Sequence, residues 1–357
     1  MGLDVMLKIF FRNAAVLCMT FSLMALPTEL LAAGKSQKRI HASYKAGKKV
    51  KALKVKAGRY SSHKAKIRLR NQRAWIAQRS EMLGENYDGS GILQLASSKA
   101  LVINQNTGEV VYAKNTNTSA PIASITKLMT AMVMLDAGLS LDDAIDVTAE
   151  DVDYLKGSSS RLPVGAALSR GDMLQLALMA SENRAASAIA RNYPGGRYAF
   201  VQAMNAKAYA IGMTHSHFAD PTGLDSGNVS TAEDLAKMVQ AAYQYPEIRM
   251  ATTSPSHEVY MQGRNYPVNF NNTNGLVRAG EWEIGLSKTG YISEAGRCLV
   301  MQARVGGEPM IMVFLDSNGK LSRIGDANRV RKWVEYNKEY KPTTTGQNDM
   351  MAEGKIS

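Results

Sequence analysis

Apolar residues recur every three or four positions in four parts of the chain, which is the spacing of a helix face. The first part runs from Ile125 to Leu135, and Gly138 is expected to end it. The next two cover residues 172–191 and 231–243, and a last amphipathic helix is predicted over residues 323–336. These patterns predict helices through the middle of the chain and one near its end.

Shorter apolar runs bounded by turn residues predict β-strands on both sides of the helical region. Residues 100–103 and 110–112 flank Asn106-Thr107-Gly108, which indicates a hairpin. Three further runs, at residues 282–289, 297–303 and 310–315, are separated by glycine-containing turns. Early and late strands with helices between them predict an α+β fold, in which one antiparallel sheet built from both chain ends carries a helical insert.

The composition is that of a folded protein with one unusual segment. The 357 residues are 45% hydrophobic and 21% charged, which is enough apolar surface for a packed core. The net charge is +12, yet residues 34–73 hold 15 lysines and arginines and no acidic residue, while residues 74–357 sum to −3. The excess charge therefore belongs to one segment and does not indicate a basic nucleic-acid-binding fold. Only two cysteines occur, which excludes a disulfide scaffold and a multi-cysteine zinc site.

The N-terminus has the pattern of a secretory signal. Lys8 and Arg12 precede a mostly apolar run at residues 14–26, and the small residues Ala32-Ala33-Gly34 follow. We expect residues 1–33 to be a signal peptide cleaved near residues 32–34. The alternative is an uncleaved membrane anchor.

Charge and composition divide the rest of the chain into three parts. Residues 34–90 are expected to form a basic disordered tether and a transition, residues 91–341 the globular domain, and residues 342–357 a disordered tail. The basic part, residues 34–73, is either a solvated tether or a polycation that contacts an anionic surface such as a wall polymer or lipid headgroups. Nucleic acid is not an expected partner of an exported chain.

Three short motifs occur in a fixed order, and each alone is weak. They are Ser124-Ile125-Thr126-Lys127, Ser181-Glu182-Asn183 and Lys288-Thr289-Gly290. Competing copies of the first two motifs occur at Ser61/Lys64, Ser317/Lys320 and Ser226/Asn228.

Sequence context favours Ser124 over the other two serines of the first motif. Ser61 lies in the basic segment, and Ser317 lies in a predicted turn. Ser124 opens a predicted amphipathic helix, where Lys127 is one turn away on the same face. The partial positive charge of a helix N-terminus also favours a developing alkoxide.

A serine hydroxyl becomes a good nucleophile only when a base takes its proton, and no histidine is suitably placed for that. The five histidines are His41, His63, His215, His217 and His257; none has a triad setting, and nothing completes a metal site around the pair His215 and His217. A lysine serves as base only when its pKa falls from about 10.4, through burial and a neighbouring positive charge. Lys127 is the candidate base, with Lys288 as the neighbouring charge.

The remaining motif residues suit the other needs of acyl transfer. Ser181 would bridge Lys127 and Lys288 and relay a proton to the leaving amine. Asn183 would hydrogen-bond a substrate amide, and Lys288 and Thr289 would hold a substrate carboxylate. The backbone N–H groups of Ser124 and Tyr291, next to Gly290, would form the oxyanion hole.

The ordered triplet resembles penicillin-binding proteins and class A β-lactamases. Three segments carry the resemblance to the low-molecular-mass penicillin-binding proteins of the D-alanyl-D-alanine peptidase family, over about residues 95–340. They are residues 121–132 (PIASITKLMTAM), 179–186 (MASENRAA) and 220–224 (DPTGL), the last of which explains Ser226/Asn228 as the loop that follows it. The resemblance implies a β-lactamase/transpeptidase-like fold, catalysis through an acyl-enzyme on Ser124, covalent inhibition by β-lactam antibiotics, and no cofactor or metal.

Within the family, the chain is most similar to the D-alanyl-D-alanine endopeptidases. That implies a hydrolase of the bacterial periplasm whose partners are cross-linked peptidoglycan stem peptides. The alternatives are a D-alanyl-D-alanine carboxypeptidase, a class A-like β-lactamase and a non-catalytic wall-binding protein. A β-lactamase needs a glutamate to activate water, and no loop signature marks Glu150 for that role.

Related carboxypeptidases carry a further C-terminal domain and a membrane anchor, and neither is expected here because the chain ends soon after Tyr340. The last predicted helix places Val330, Trp333 and Val334 on one side. We expect that side to pack on the sheet.

Overall fold

A computed structural model describes residues 93–261 and 265–340 of the chain, with side chains through residue 337. The predicted signal peptide (1–33), the basic tether and transition (34–90) and the tail (342–357) lie outside the described residues.

The strands follow the predicted order, with short additional ones between the two halves of the main sheet. They are β1 (Lys99–Asn104), β2 (Val110–Lys114), β3 (Ala120–Pro121), β4 (Ala144–Asp146), β5 (Ala167–Ser169), β6 (Val229–Ser230), β7 (Ser256–Val259), β8 (Val268–Asn271), β9 (Ile284–Ile292), β10 (Gly296–Val305) and β11 (Glu308–Ser317).

The helices lie mainly between these two sets of strands. They are α1 (Lys127–Asp136), α2 (Arg170–Met179), α3 (Asn183–Arg191), α4 (Gly196–Ala210), α5 (Ala232–Ala242), α6 (Pro246–Thr253), α7 (Gly275–Ala279) and α8 (Ser322–Tyr340).

The main sheet has five strands in the order β2-β1-β11-β10-β9, and every neighbouring pair is antiparallel. The first and last strands of the domain are direct neighbours, since Leu101 of β1 pairs with Val313 of β11. The predicted fold class, one antiparallel sheet built from both chain ends around a helical insert, is therefore confirmed.

Each face of the sheet has its own hydrophobic core. The helical insert covers one face, where Leu286, Val300 and Val313 are buried against it. Helix α8 covers the other face, and its Val330 is fully buried there with Trp333 and Val334 packed beside it. The prediction that this side of the last helix packs on the sheet is confirmed.

Helix α1 differs from its prediction. We expected an amphipathic helix, but residues 127–134 are all buried, lysine included. The helix runs through the middle of the insert, so it has no solvent face, and tertiary packing rather than an amphipathic stripe fixes it.

The helix predicted over residues 172–191 is two helices. Helix α2 ends at Met179 and α3 begins at Asn183, with Ser181 in a left-handed conformation (φ 60°) between them. The alanine-rich sequence favours helix throughout this stretch, so the break depends on tertiary contacts. Helices α4, α6 and α7 were not predicted. No helix in residues 93–261 and 265–340 has the length and apolar character needed to cross a membrane.

Candidate active site

Ser124 lies in the 3-10 turn Ala123–Thr126 that leads directly into α1. The preceding residue, Ala123, is buried and adopts a left-handed conformation (φ 49°), which is uncommon for a residue with a side chain. Such conformations persist where the surrounding structure holds them, and they are concentrated at functional sites. Here the turn leaves Ser124 half-buried at the N-terminus of a fully buried helix.

Two glycines let other backbone segments approach Ser124 closely. A Cβ atom at Gly290, the last residue of the third motif, would lie 3.1 Å from the Ser124 nitrogen and 2.8 Å from the Ile122 oxygen. A Cβ at Gly223 would lie 2.8 Å from the same Ser124 nitrogen. Only glycine fits at these two positions. Because neither residue has a side chain, β9 and the loop around Gly223 can lie against the backbone of Ser124.

Lys127 is almost completely buried, with 1% of its surface exposed. Its Nζ atom donates hydrogen bonds to Ser124 Oγ at 2.9 Å, to Asn183 Oδ1 at 2.7 Å and to the Thr222 carbonyl oxygen at 2.6 Å. The amine is therefore held against the hydroxyl of Ser124 by two further oxygen atoms.

Burial lowers the pKa of Lys127 to about 7, although the negative charges of Asp220, Glu182 and Asp153 act in the opposite direction. The predicted direction of the shift agrees, and burial, one of the two expected causes, is the main one. The second expected cause, the positive charge of Lys288, is not among the contributions to the pKa of Lys127. Burial, together with the positive charge of Lys127, holds the pKa of Lys288 well below its usual value.

Ser181 and Lys288 form the second pair of the site. Lys288 is 1% exposed, and its Nζ atom donates to Ser181 Oγ at 2.9 Å and to the Thr289 carbonyl oxygen at 3.0 Å. The neighbouring Glu182 is buried and accepts a hydrogen bond from Ser160 Oγ at 2.6 Å, which fixes the segment between α2 and α3.

One expected contact is missing. Ser181 was predicted to bridge the two lysines, but within the described part of the chain no hydrogen bond joins it to Lys127. Ser181 contacts Lys288, and Ser124 contacts Lys127. The prediction of a bridge is wrong for the free protein, because Asn183 and Thr222 occupy the remaining hydrogen-bonding positions of Lys127.

The rest of the third motif lies on β9, an edge strand of the sheet. Thr289 Oγ1 donates to Thr273 Oγ1 at 2.7 Å. Tyr291 is 57% exposed, and the guanidinium carbon of Arg297 lies 4.4 Å from the centre of its ring. Thus Lys288 points into the buried site while Tyr291 borders solvent.

The amide of Asn183 is engaged at both ends. While Oδ1 accepts from Lys127, Nδ2 donates to Ser158 Oγ at 2.9 Å. Asn183 was expected to bind a substrate amide, yet in this structure it holds Lys127. Ser158, which sequence reasoning missed, determines which end of that amide points towards the lysine.

The loop 220–224 is a second part of the site whose role was not predicted. Thr222 supplies the carbonyl oxygen that accepts from Lys127, and the Pro221 carbonyl oxygen accepts from Thr130 Oγ1 at 2.6 Å. The Asp220 side chain accepts from the backbone N–H groups of Thr222 and Gly223 at 3.1 and 2.9 Å, which shapes the loop. The family resemblance of residues 220–224 was the one sequence feature that indicated a role for this loop. No sequence feature indicated a role for Ser158.

Neither Ser317 nor Ser226 hydrogen-bonds to Lys127 or Lys288. Ser317 ends β11, buried, with its Oγ 2.7 Å from Ser97 Oγ. Ser226 is exposed, and Asn228 is buried, where its Oδ1 accepts from the backbone N–H of Ala219 at 2.6 Å. Ser61 lies outside the described residues. The choice of Ser124 and Ser181 thus agrees with where the buried lysines are.

Among the described residues, no histidine side chain hydrogen-bonds to a residue of the cluster around Lys127 and Lys288. His257 pairs with Asp172 at 2.9 Å, and in residues 93–261 and 265–340 no group of three or more His, Cys, Asp or Glu could hold a metal ion. Glu150 is exposed in a 3-10 turn at Ala149–Asp151 and makes no side-chain contact with Ser124 or Lys127. The arrangement fits serine acylation with lysine as the base.

Comparison with known proteins agrees with this geometry. The family profile described as D-alanyl-D-alanine carboxypeptidase matches residues 86–319. A D-alanyl-D-alanine endopeptidase of Pseudomonas aeruginosa is 49% identical over 242 residues, which are 68% of this chain and 78% of the relative. A D-alanyl-D-alanine endopeptidase of Escherichia coli is 45% identical over 245 residues, 69% of this chain and 79% of the relative.

A solved structure shares both fold and sequence. The crystal structure of the Streptomyces K15 DD-transpeptidase matches with a TM-score of 0.63 and 29% identity, over 67% of this chain and 97% of that protein. The family profile covers the part of the chain that contains the three motifs.

Proposed function

The chain belongs to the D-alanyl-D-alanine carboxypeptidase family of serine peptidases, and from this premise we propose that it cleaves the D-alanyl cross-links of peptidoglycan. The observation that carries the chemistry is the buried lysine, Lys127, with a pKa of about 7 and its Nζ 2.9 Å from Ser124 Oγ. The names of two relatives at 49% and 45% identity support cross-links as the substrate.

In the proposed acylation, Ser124 Oγ attacks the carbonyl carbon of a D-alanyl residue, and its proton passes to neutral Lys127. A lysine with a pKa of about 7 is largely neutral in mildly basic solution, so it can accept this proton. The C–N bond then breaks, the amine of the second stem peptide leaves, and the D-alanyl residue remains bound to Ser124 as an ester. Water, deprotonated by Lys127, hydrolyses the ester and restores the hydroxyl.

Ser181 is the proposed donor of the proton to the leaving amine. Because its oxygen accepts a hydrogen bond from Lys288, its own proton is directed elsewhere, towards an acceptor in the cleft. Once substrate has displaced the Asn183 contact, the Ser181 hydroxyl would give its proton to the leaving amine and take up the proton that Lys127 received from Ser124.

The oxyanion hole is proposed to consist of the backbone N–H groups of Ser124 and Tyr291. The close approach of Gly290 to the Ser124 nitrogen supports this pairing, because it brings β9 within reach of the attacked carbonyl. Lys288 and Thr289 are proposed to hold a substrate carboxylate, and Asn183 a substrate amide.

A D-alanyl-D-alanine carboxypeptidase is the second candidate, favoured by the description of the family profile. Both activities break the bond after a D-alanine through the same acyl-enzyme. They differ in the leaving group, which is a free D-alanine in one reaction and the side-chain amine of a cross-linked stem peptide in the other.

We expect cleavage of cross-links to exceed carboxypeptidase activity by at least about tenfold in kcat/KM, equivalent to about 1.4 kcal/mol in the transition state. The measurement compares conversion of muropeptide dimers to monomers with release of terminal D-alanine from a pentapeptide, in one preparation. Faster D-alanine release with dimers left intact would assign the protein to the carboxypeptidases.

Ser158→Ala is expected to slow acylation about three- to tenfold, since losing one hydrogen bond, about 0.5–1.5 kcal/mol, frees the amide of Asn183 to turn away from Lys127. The measurement is the second-order rate of labelling by a fluorescent penicillin. Ser159→Ala is the matched control, because Ser159 is an exposed neighbour with no side-chain hydrogen bond to a described residue. Ser158→Thr keeps a hydroxyl and should restore most of the rate; equal rates for Ser158→Ala and Ser159→Ala would contradict this role.

The proposed domain organisation places a signal peptide at residues 1–33, a basic tether and transition at 34–90, the catalytic domain at 91–341 and a tail at 342–357. Export to the bacterial periplasm follows from the signal pattern, and the substrate is found there. Residues 34–73, with 15 basic and no acidic residues, are proposed to contact anionic wall polymer or lipid headgroups.

Deleting residues 34–73 is expected to weaken co-sedimentation with isolated wall sacculi and to leave turnover of small soluble peptides unchanged. For the intact protein, binding should fall as salt rises, because charges are screened beyond about 10 Å at 0.1 M salt. A neutral glycine–serine segment of equal length is the control for linker length. Binding that does not change with salt concentration and that persists after the deletion would overturn the proposed contact.

A further inference from the structure

A polar cavity of about 620 Å³ lies beside the start of β9, apart from Ser124. We call it the amide cavity, because five of its lining side chains are carboxamides: Gln105, Asn106, Gln240, Gln244 and Gln302. Its volume lies within the range of roughly 300–1,000 Å³ that is typical of small-molecule sites. None of its lining residues belongs to the three motifs.

Two of the amides form a pair with unused hydrogen-bonding capacity. Gln302, 5% exposed, donates from Nε2 to Gln105 Oε1 at 2.9 Å. Among the described residues, nothing donates to Gln302 Oε1 and nothing accepts from Gln105 Nε2. If the oxygen and nitrogen positions of both amides are exchanged, the pair still has one free donor and one free acceptor. A hydroxyl or an acetamido group, which donates and accepts at once, matches such a pair.

Gly285 keeps this wall of the cavity open. A Cβ atom there would lie 2.2 Å from Gln302 Oε1 and 2.7 Å from a ring carbon of Tyr243. Any side chain at position 285 would therefore displace the amide or the ring.

The charges around the cavity do not select an ionic ligand. Arg304 is paired with Glu283 at 3.1 Å. The guanidinium carbon of Arg249 lies 5.1 Å from the centre of the Tyr243 ring, and its NH1 donates to the Tyr243 carbonyl oxygen. Neutral amides with one aromatic ring, one stacked guanidinium group and one paired guanidinium group suit a neutral, hydroxyl-rich ligand.

The position of the cavity connects it to the active site. Gln302 pairs with Leu286, and Val300 pairs with Lys288, in the β9–β10 register. Two positions along a strand are about 7 Å apart on the same face of the sheet. Along β10, Gln302 is therefore about 7 Å from Val300, the partner of Lys288.

Building on the proposed function, we infer that the amide cavity binds an N-acetylated sugar of the glycan strand while the peptide attached to that strand occupies the active site. The Gln105–Gln302 pair would hold the acetamido group, and the exposed side chains of Gln240 and Gln244 would contact hydroxyl groups.

The first test measures binding of chitotetraose, an oligomer of N-acetylglucosamine, by titration calorimetry. Wild-type protein should bind it saturably, and Gln105→Ala and Gln244→Ala should each raise Kd about tenfold or more. Gln202→Ala is the matched control, an exposed glutamine on α4 outside the cavity, and should leave Kd unchanged. Absence of binding to the wild type, or equal losses in the control, would overturn the inference.

The second test compares cross-linked dimers that carry their disaccharides with the same dimers after the sugars have been removed. The sugar-bearing form should have a KM about tenfold lower for wild-type protein, and Gln105→Ala should remove that difference. Identical KM values for the two forms would overturn the inference. Penicillin acylation of Ser124 should stay normal in every variant; a wild-type protein that penicillin fails to acylate would instead refute the proposed function, whatever the outcome with chitotetraose.

Discussion

Ser124→Ala is expected to abolish covalent labelling of the protein by a fluorescent penicillin. The acyl-enzyme requires the Ser124 oxygen, and the other motif serine of the site, Ser181, is bonded to Lys288 rather than to Lys127. Alanine is smaller than serine and tolerates the N-terminal turn of α1, so a thermal melt should change little. Labelling is read from a denaturing gel, and the signal should fall below detection.

Two other motif serines serve as controls for the assignment of Ser124 as the nucleophile. Ser226→Ala changes an exposed serine of a competing motif, and Ser61→Ala changes one in the basic segment. Both variants should be labelled like the wild type. Labelling that persists in Ser124→Ala, or that disappears in Ser226→Ala, would refute the assignment of the nucleophile.

The sheet could be predicted from the sequence because its strands have strong local signals. The Asn106-Thr107-Gly108 turn determines where β1 ends and where β2 begins. Strands β9, β10 and β11 are apolar runs separated by glycine-containing turns. The paired residues of β1 and β11 are 206 to 216 positions apart in sequence, so their pairing followed only from the reasoning that early and late strands share one sheet.

The catalytic candidates were also found from local sequence, but their contacts were not. Ser124 and Lys127 are one turn apart, so their proximity could be anticipated. The contacts of Lys127 with Asn183 and Thr222 join residues 56 and 95 positions away, and no local pattern encodes them. The left-handed conformation of Ser181 was missed for the same reason, since only the surrounding fold holds it.

Lys127 should give acylation by penicillin a distinct pH dependence. Burial lowers its pKa to about 7, and the neutral form is the proposed base. The neutral fraction is about nine-tenths at pH 8 and about one-tenth at pH 6, so the acylation rate should fall about tenfold per pH unit below pH 6. Stopped-flow measurement of the second-order rate between pH 5 and 9 provides the profile, whose inflection should lie near pH 7.

Lys127→Arg is expected to lower the acylation rate by about 10²–10⁴-fold, the usual contribution of a general base. Arginine keeps the positive charge but does not lose its proton in a protein, so it cannot accept the proton of Ser124. Because arginine is also larger than lysine and the site is almost fully buried, Lys127→Met serves as the companion variant, with similar length and no charge. Both variants should retain a cooperative thermal melt while losing the inflection near pH 7. If Lys127→Met were acylated at nearly the wild-type rate, with that inflection unchanged, another group would have to be the base, and Lys288, held at a low pKa beside Ser181, would be the next residue to test.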